Sequence, residues 1–381
     1  MSDMVYLDHA ATTPMRQVAI DAWVEHAHAV NPGGQYGSGR AANAVLAQAR
    51  EDIAELLGAD PVEVVFTGSG TEADNIAVRG LYRARTKEGA PRRVVASTIE
   101  HSAVLETVKS LAQTEGAEVA WLEPDRGGHV RELSALDDPA AVATLMWANN
   151  ETGAIQPVRE AAERANAAGT PLHVDAVQAV GKVEVDFHAS GATTLAASAH
   201  KFGGPRGSGI LLAKRSPVPL PVVLGGGQER GLRPGTVDVA AAAATAAALR
   251  EALDERKAEN ARIAGLRDRL IERVVAAVPG TKVTATEPRL AGHAHLLFPG
   301  AEAESMLMLL DSLGVEASAG SACSAGVHRV SHVLEAMGVD ARDGMGALRL
   351  TLGRTTTEED IDTFVAHIAE VIERARAAGS L

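Results

Sequence analysis

The chain has 381 residues, more than one ordinary hydrophobic core accommodates, so it reads as one large and one smaller domain. It is 46% hydrophobic but only 3% aromatic, with 37 glycines, which points to an α/β protein packed with Ala, Val and Leu and cut by tight loops. A formal charge of −13 argues against a phosphate-backbone binder, and a single cysteine excludes an internal disulfide framework and any Cys-cluster metal site.

The N-terminus, MSDMVYLDHA, shows no basic region followed by an apolar run, so no signal peptide is visible. Residues 41–57, AANAVLAQAREDIAELL, place Val45, Leu46, Ala49, Ile53, Leu56 and Leu57 on one helical face, with Gly58 at the stop position. VEVVFTG (62–68) reads as a buried strand ending in a glycine loop. Further strands are predicted near 92–97, 117–122, 142–148, 171–175, 193–198 and 208–213. Helical patterns near 71–85, 102–115 and 157–168 fall between several of them. Strands alternating with helices imply a mostly parallel, doubly wound sheet. From 238 to about 277 the chain turns helical and charged, and its Ala-rich start near 238–249 is too short and too soon interrupted by charges to span a membrane. The remainder reads as a smaller α/β unit whose last helix opens with a capping-box pattern in TTTEED (355–360). The predicted division is a large domain over 15–245 and a small one over 246–381 that takes back the N-terminal segment 1–14. The expected compartment is the cytoplasm, where a lone thiol stays reduced.

Three stretches carry chemistry. In SAHKFGGPRGSG (198–209), Lys201 follows an apolar strand and precedes a glycine-rich turn; burial would lower its pKa, and a neutral amine can form a Schiff base with an aldehyde. A surface loop lysine fits this stretch equally well. In FTGSGTEADN (66–75), small residues run from a strand into a helix, where backbone N–H groups can approach an anion and Thr71 adds a hydroxyl. The pattern is neither a Walker motif nor a dinucleotide fingerprint, and a plain structural turn is the simpler alternative. In LHVDAVQAVG (172–181), Asp175 ends an apolar strand, an expensive place for a carboxylate without a cationic partner. A protonated pyridine nitrogen would be such a partner; a structural ion pair or helix cap is the alternative. Lysine, anion cup and buried aspartate on successive strand ends together describe a pyridoxal 5′-phosphate site.

YLDHAATTP (6–14), NPGGQYGSGR (31–40), FTGSGTEADN, IEHSAVLE (99–106), ANNETGAIQP (148–157), HVDAVQA, SAHKFGGPRGSG, GGGQERGLRPGT (225–236), GSACSAG (320–326) and LRLTLGR (348–354) occur in this order. With these motifs the chain closely resembles the cysteine desulfurases, pyridoxal-phosphate enzymes of the class V aminotransferase fold (fold type I), over nearly its whole length. The resemblance implies that Lys201 holds the cofactor and that His101 stacks on its ring and helps with proton transfers. It implies that Asp175 pairs with the ring nitrogen, that Gln178 bonds the phenolic oxygen, and that Gly70, Thr71, Ser198 and His200 hold the phosphate. Thr236 would reach the phosphate of a neighbouring subunit, implying a homodimer. Asn150 and Arg349 would orient the substrate, L-cysteine, and Cys323 would attack its sulfur, giving alanine and a Cys323 persulfide. The segment after Cys323 resembles that of the group serving iron–sulfur assembly and tRNA thiolation, so the expected partner is a sulfur-acceptor protein, an iron–sulfur scaffold or a tRNA-thiolating enzyme, with no direct nucleic acid, no membrane and no metal. The chain departs from the family pattern at His9, where Asn is usual, and in 31–36, where Tyr36 replaces a usual histidine.

Rival expectations remain at this level. An aminotransferase needs no cysteine in a small-residue loop, and preference for selenocysteine is not legible in sequence. A non-catalytic sulfur relay would not need Lys201, His101 and Arg349 together, and a thiol-redox protein would leave Lys201 and Asp175 without a role.

Overall fold

The computed structural model describes residues 4–320 and 330–378. The chain opens on a short strand, β1 (Val5–Tyr6), and then builds β2 (Val64–Thr67), β3 (Arg93–Ser97), β4 (Glu118–Leu122), β5 (Val142–Thr144), β6 (Leu172–Asp175), β7 (Thr194–Ser198) and β8 (Gly209–Ala213). The last seven form one sheet in the order β2-β8-β7-β6-β5-β3-β4. β8 runs antiparallel to both β2 and β7, and every other pairing is parallel. The sheet is therefore mostly parallel, as the alternation predicts. β2, β6, β7 and β8 are buried along their whole length, and β2 and β8 accordingly read as apolar runs.

Helices Gly70–Lys87, Ser102–Glu115 and Val158–Ala167 fall where the periodicity places them. The helix predicted at 41–57 begins earlier, at Gly37, and ends at Leu57, where Gly58 takes the left-handed φ of +62° that stops it. Since β2 opposes β8, which opposes β7, the carboxyl ends of β2, β3, β5, β6 and β7 share one edge of the sheet. Strand order turns back there, the place where an open α/β sheet leaves a crevice.

Beyond a 39-residue helix, Val239–Ala277, come β9 (Lys282–Val283), β10 (His293–Leu297), β11 (Val315–Glu316) and β12 (Ala347–Thr351). β9, β10 and β12 make an antiparallel sheet in the order β12-β10-β9, while β11 pairs in parallel with β1. These elements enclose their own core: Leu7 packs with Leu270, Phe298, Leu350, Phe364 and Ile368. The long helix serves both cores. Ala244, Ala248, Leu249 and Ala252 of its first half lie in the main core, and Ile263, Leu266 and Leu270 of its second half lie in the other. Helix Glu358–Ala378 is capped from TTTEED by Thr357, whose Oγ1 accepts from Asp360 N (3.2 Å) while Asp360 Oδ2 accepts from Thr357 N (2.8 Å). Among the described residues, no helix is long and apolar enough to cross a membrane.

Candidate active site

A cavity of about 350 Å³ opens at the shared strand edge. Its walls include Gly70, Thr71, His101, Asn150, Asp175, Gln178, Ser198, His200, Lys201 and Arg349, so ten residues singled out from sequence converge on one space. Thr236 does not. It is exposed, in a surface pocket beside Trp23, Asn31 and Pro32. Cys323 lies outside the described residues; Gly320, three positions before it, and His332 both line the cavity.

Strand ends and helix starts place the polar groups of the first wall. Asp175 is the last residue of β6 and only 4% exposed; its Oδ1 accepts from Val177 N at 2.9 Å. Burial raises the Asp175 pKa, against the opposing pull of His101, the Val177 amide and Lys201. His101 is the N-cap of helix Ser102–Glu115, and its Nδ1 accepts from Ala103 N at 3.1 Å. That bond leaves the ring proton on Nε2. Burial lowers the His101 pKa against the pull of Asp175, and Lys201 and His332 lower it further. Lys201 leaves β7 through a short 3₁₀ turn and donates to Ala10 O (2.6 Å) and Ala11 O (2.8 Å).

Gly70 begins an 18-residue helix whose N-cap, Ser69, accepts from Glu72 N. A Cβ on Gly70 would stand 2.7 Å from Val177 Cγ2 and 3.3 Å from Ser198 Cβ. Only glycine lets this helix start so near β7, and the N-terminal amides with Thr71, Ser198 and His200 form a cup suited to an anion.

The second wall comes from the N-terminal segment and β12. Arg349, 3% exposed, donates from Nη2 to Asp8 Oδ1 (2.6 Å) and from Nη1 to Asn150 O (2.9 Å), and its buried Nε has no hydrogen-bond partner among the described residues. Asp8 thus holds the fork from behind. This contact was invisible in sequence, as were the Ala10 and Ala11 carbonyls.

Sequence reading also passed over two buried acids. Asp74 is raised well above an ordinary carboxyl by burial, Asp175 and Glu100, and its Oδ1 lies 3.1 Å from His173 Nε2. Glu100 is pushed up to about 8 by burial first and by Asp175 second; its Oε1 accepts from Ser97 Oγ and Met146 N. Both sit inside the motifs FTGSGTEADN and IEHSAVLE. The signal that picked out Asp175, an acid closing an apolar run, is missing at both, since Asp74 follows Thr71 and Glu72, and Glu100 follows Ser97 and Thr98.

The chain matches the aminotransferase class-V family over residues 5–364, and it belongs to that family. Within it, the chain groups with the cysteine desulfurases: it is 47% identical to an IscS-like cysteine desulfurase of Mycobacterium tuberculosis, with 98% of each chain covered. Among solved structures it is similar to a NifS-like protein (TM-score 0.89, 33% identity, 97% of this chain and 100% of that one). It is also similar to a protein described as SspA in complex with cysteine (TM-score 0.79, 27% identity, 92% and 99% covered). Members of the family work with pyridoxal 5′-phosphate. The residues present fit that group: an amine, an anion cup at a helix start, and a buried carboxylate on the same cavity wall.

Proposed function

We propose that the protein is a cysteine desulfurase that takes sulfur from L-cysteine, releases L-alanine and carries the sulfur as a persulfide on Cys323. The observation that supports this most is the convergence of Lys201, His101, Asp175 and Arg349 on one cavity from four separate parts of the chain. Pyridoxal 5′-phosphate, when bound, supplies an electron sink for the substrate carbons.

The chain's own residues do the rest. Lys201 is the amine that would hold the cofactor's aldehyde, and the Ala10 and Ala11 carbonyls accept from its Nζ. Asp175 would keep the ring nitrogen charged, Gln178 would meet the ring oxygen, and Gly70, Thr71, Ser198 and His200 would take the phosphate. Arg349, with Asn150, receives the substrate carboxylate in a two-pronged grip. Lys201 Nζ would take the Cα proton, and His101 would hold a proton at Nε2 for return. The Cys323 thiolate then forms a bond to the substrate sulfur as the Cβ–S bond breaks. The electron pair stays with the carbon skeleton, which takes up a proton and leaves as alanine.

A second copy of the chain completes the reading. Trp23 is 42% exposed, Val24 68% and Leu224 85%, apolar side chains open to solvent. A homodimer that covers it would carry Thr236 toward its partner's phosphate cup. The sulfur then passes to an acceptor protein, an iron–sulfur scaffold or a tRNA-thiolating enzyme.

The test is to incubate the pure protein with L-cysteine and to measure alanine together with the mass of the peptide carrying Cys323. One added sulfur atom on that peptide is expected. In Cys323→Ser the visible absorbance of the bound cofactor persists and sulfide release stops; normal turnover by that variant would sink the reading. Sedimentation of the protein checks the dimer, and Leu224→Asp is expected to shift it toward monomer.

A further inference from the structure

Lys201 and Gln178 meet at one acceptor. Ala10 O takes hydrogen bonds from Lys201 Nζ (2.6 Å) and from Gln178 Nε2 (2.9 Å). The other end of the same amide, Gln178 Oε1, accepts from Lys182 Nζ at 2.7 Å. A continuous polar line therefore runs from Lys182 through both ends of the Gln178 amide and the Ala10 carbonyl to Lys201. Lys182 does not line the cofactor cavity. It lines a second, smaller cavity of about 90 Å³, and Ala10 and Lys201 belong to the walls of both.

The backbone fixes where Lys182 stands. Gly181 turns at a φ of +80°, and any Cβ there would lie 2.8 Å from Phe202 Cβ. The long helix then clamps the next two carbonyls: Asn260 Nδ2 donates to Lys182 O (2.6 Å) and Arg256 Nη1 to Val183 O (3.0 Å).

The two ends of a side-chain amide are alike in shape and opposite in hydrogen bonding, so partners decide which end points where. An ammonium has donors and no acceptor, and can satisfy only Oε1; a bond to a charged donor is roughly twice as strong as a neutral one. We propose that Lys182 is a positioning residue, whose ammonium holds the Gln178 amide with Nε2 turned to the wall shared with Lys201, so that a cofactor ring oxygen meets a donor and never an acceptor. This rests on the reading of the larger cavity as the pyridoxal-phosphate site.

The surroundings make this lock sensitive to pH. Lys201 and Arg349 face Lys182 from the cofactor side, and burial followed by these two cations pushes Lys182 down to about 7. His9, His200 and His293 also stand in its field, all pushed down and neutral at pH 7. Arg16, Arg256 and Arg354 share the second cavity; its acids, Glu255 and Glu259, are engaged by Arg16 and Arg262. The charge-assisted bond is thus complete below about pH 7 and weakens as pH rises through it.

The probe is pyridoxine 5′-phosphate, which has the ring oxygen but no aldehyde, so no bond to Lys201 intervenes. Its dissociation constant is measured from pH 6 to 8.5 for the wild type, Lys182→Met, Lys182→Arg, Gln178→Ala and the Gln178→Ala/Lys182→Met double variant. At pH 6 Lys182→Met is expected to bind about tenfold more weakly than wild type, the ratio approaching one at pH 8.5. Lys182→Arg, charged throughout, is expected to bind tightly at both ends of the range. In the Gln178→Ala background the Met substitution should change nothing further, whereas general destabilisation or long-range attraction for phosphate would persist there. A Lys182→Met effect that survives undiminished without Gln178, or no effect at pH 6, overturns the proposal. A wild type that fails to bind the probe at all overturns the cofactor reading and this proposal with it.

Discussion

The two walls of the cavity are built in different ways. On one side, Asp175, His101, Gly70 and Lys201 stand at the ends of strands or the starts of helices, each fixed by a local turn of the main sheet's own edge. On the other, Arg349 comes from β12 of the second sheet and is oriented by Asp8, 341 positions away in sequence. The first wall is carried by strands buried along their whole length. The second depends on packing between distant segments, and its central cation is already paired. In the proposed function the first wall takes the cofactor and the second the substrate, with Asp8 keeping the Arg349 guanidinium in place.

The division can be broken experimentally. Lys201→Ala is expected to abolish covalent cofactor retention and to lower alanine formation on the order of 10³-fold or more, read from visible absorbance and product. Asp175→Asn removes the carboxylate proposed to pair with the ring nitrogen and should weaken cofactor affinity roughly 10²-fold, measured by equilibrium dialysis. Arg349→Met should lower kcat/KM for L-cysteine roughly 10²-fold while cofactor affinity stays put. If Arg349→Met instead strips the cofactor, the two walls do not work separately. The smallest effect concerns stability. Glu100 carries a pKa of about 8 in the folded protein against 4.5 in the free side chain, so the fold binds a proton that the unfolded chain releases between those values. Stability contributed there is complete below about pH 4.5 and is lost as pH rises toward 8, on the order of 1 kcal/mol per pH unit. Glu100→Gln should flatten that slope, checked by urea unfolding at pH 6 and pH 8 against wild type.

Much of the first wall was legible because its residues sit in short motifs at element boundaries. FTGSGTEADN shows its glycines beside its helix start, and Asp175 announces itself as an acid closing an apolar strand. The direction of β8 was not legible, since Gly209–Ala213 is buried on both faces and an apolar run reads the same either way. Asp74 and Glu100 escaped notice because a carboxylate in a helix or loop looks solvated until the fold closes around it.

The sequence by itself determined the alternation of strands and helices, the lysine, aspartate and glycine cup, and the family to which they belong, because each is encoded within a few neighbouring residues. Tertiary structure alone decided which of them meet. Asp8 behind Arg349, the Ala10 carbonyl between Lys201 and Gln178, and the second lysine that holds that amide join residues 168 to 341 positions apart, except for Lys182 and Gln178, four positions from each other. Such contacts depend on how sheets and helices pack in three dimensions, and local periodicity carries no record of that.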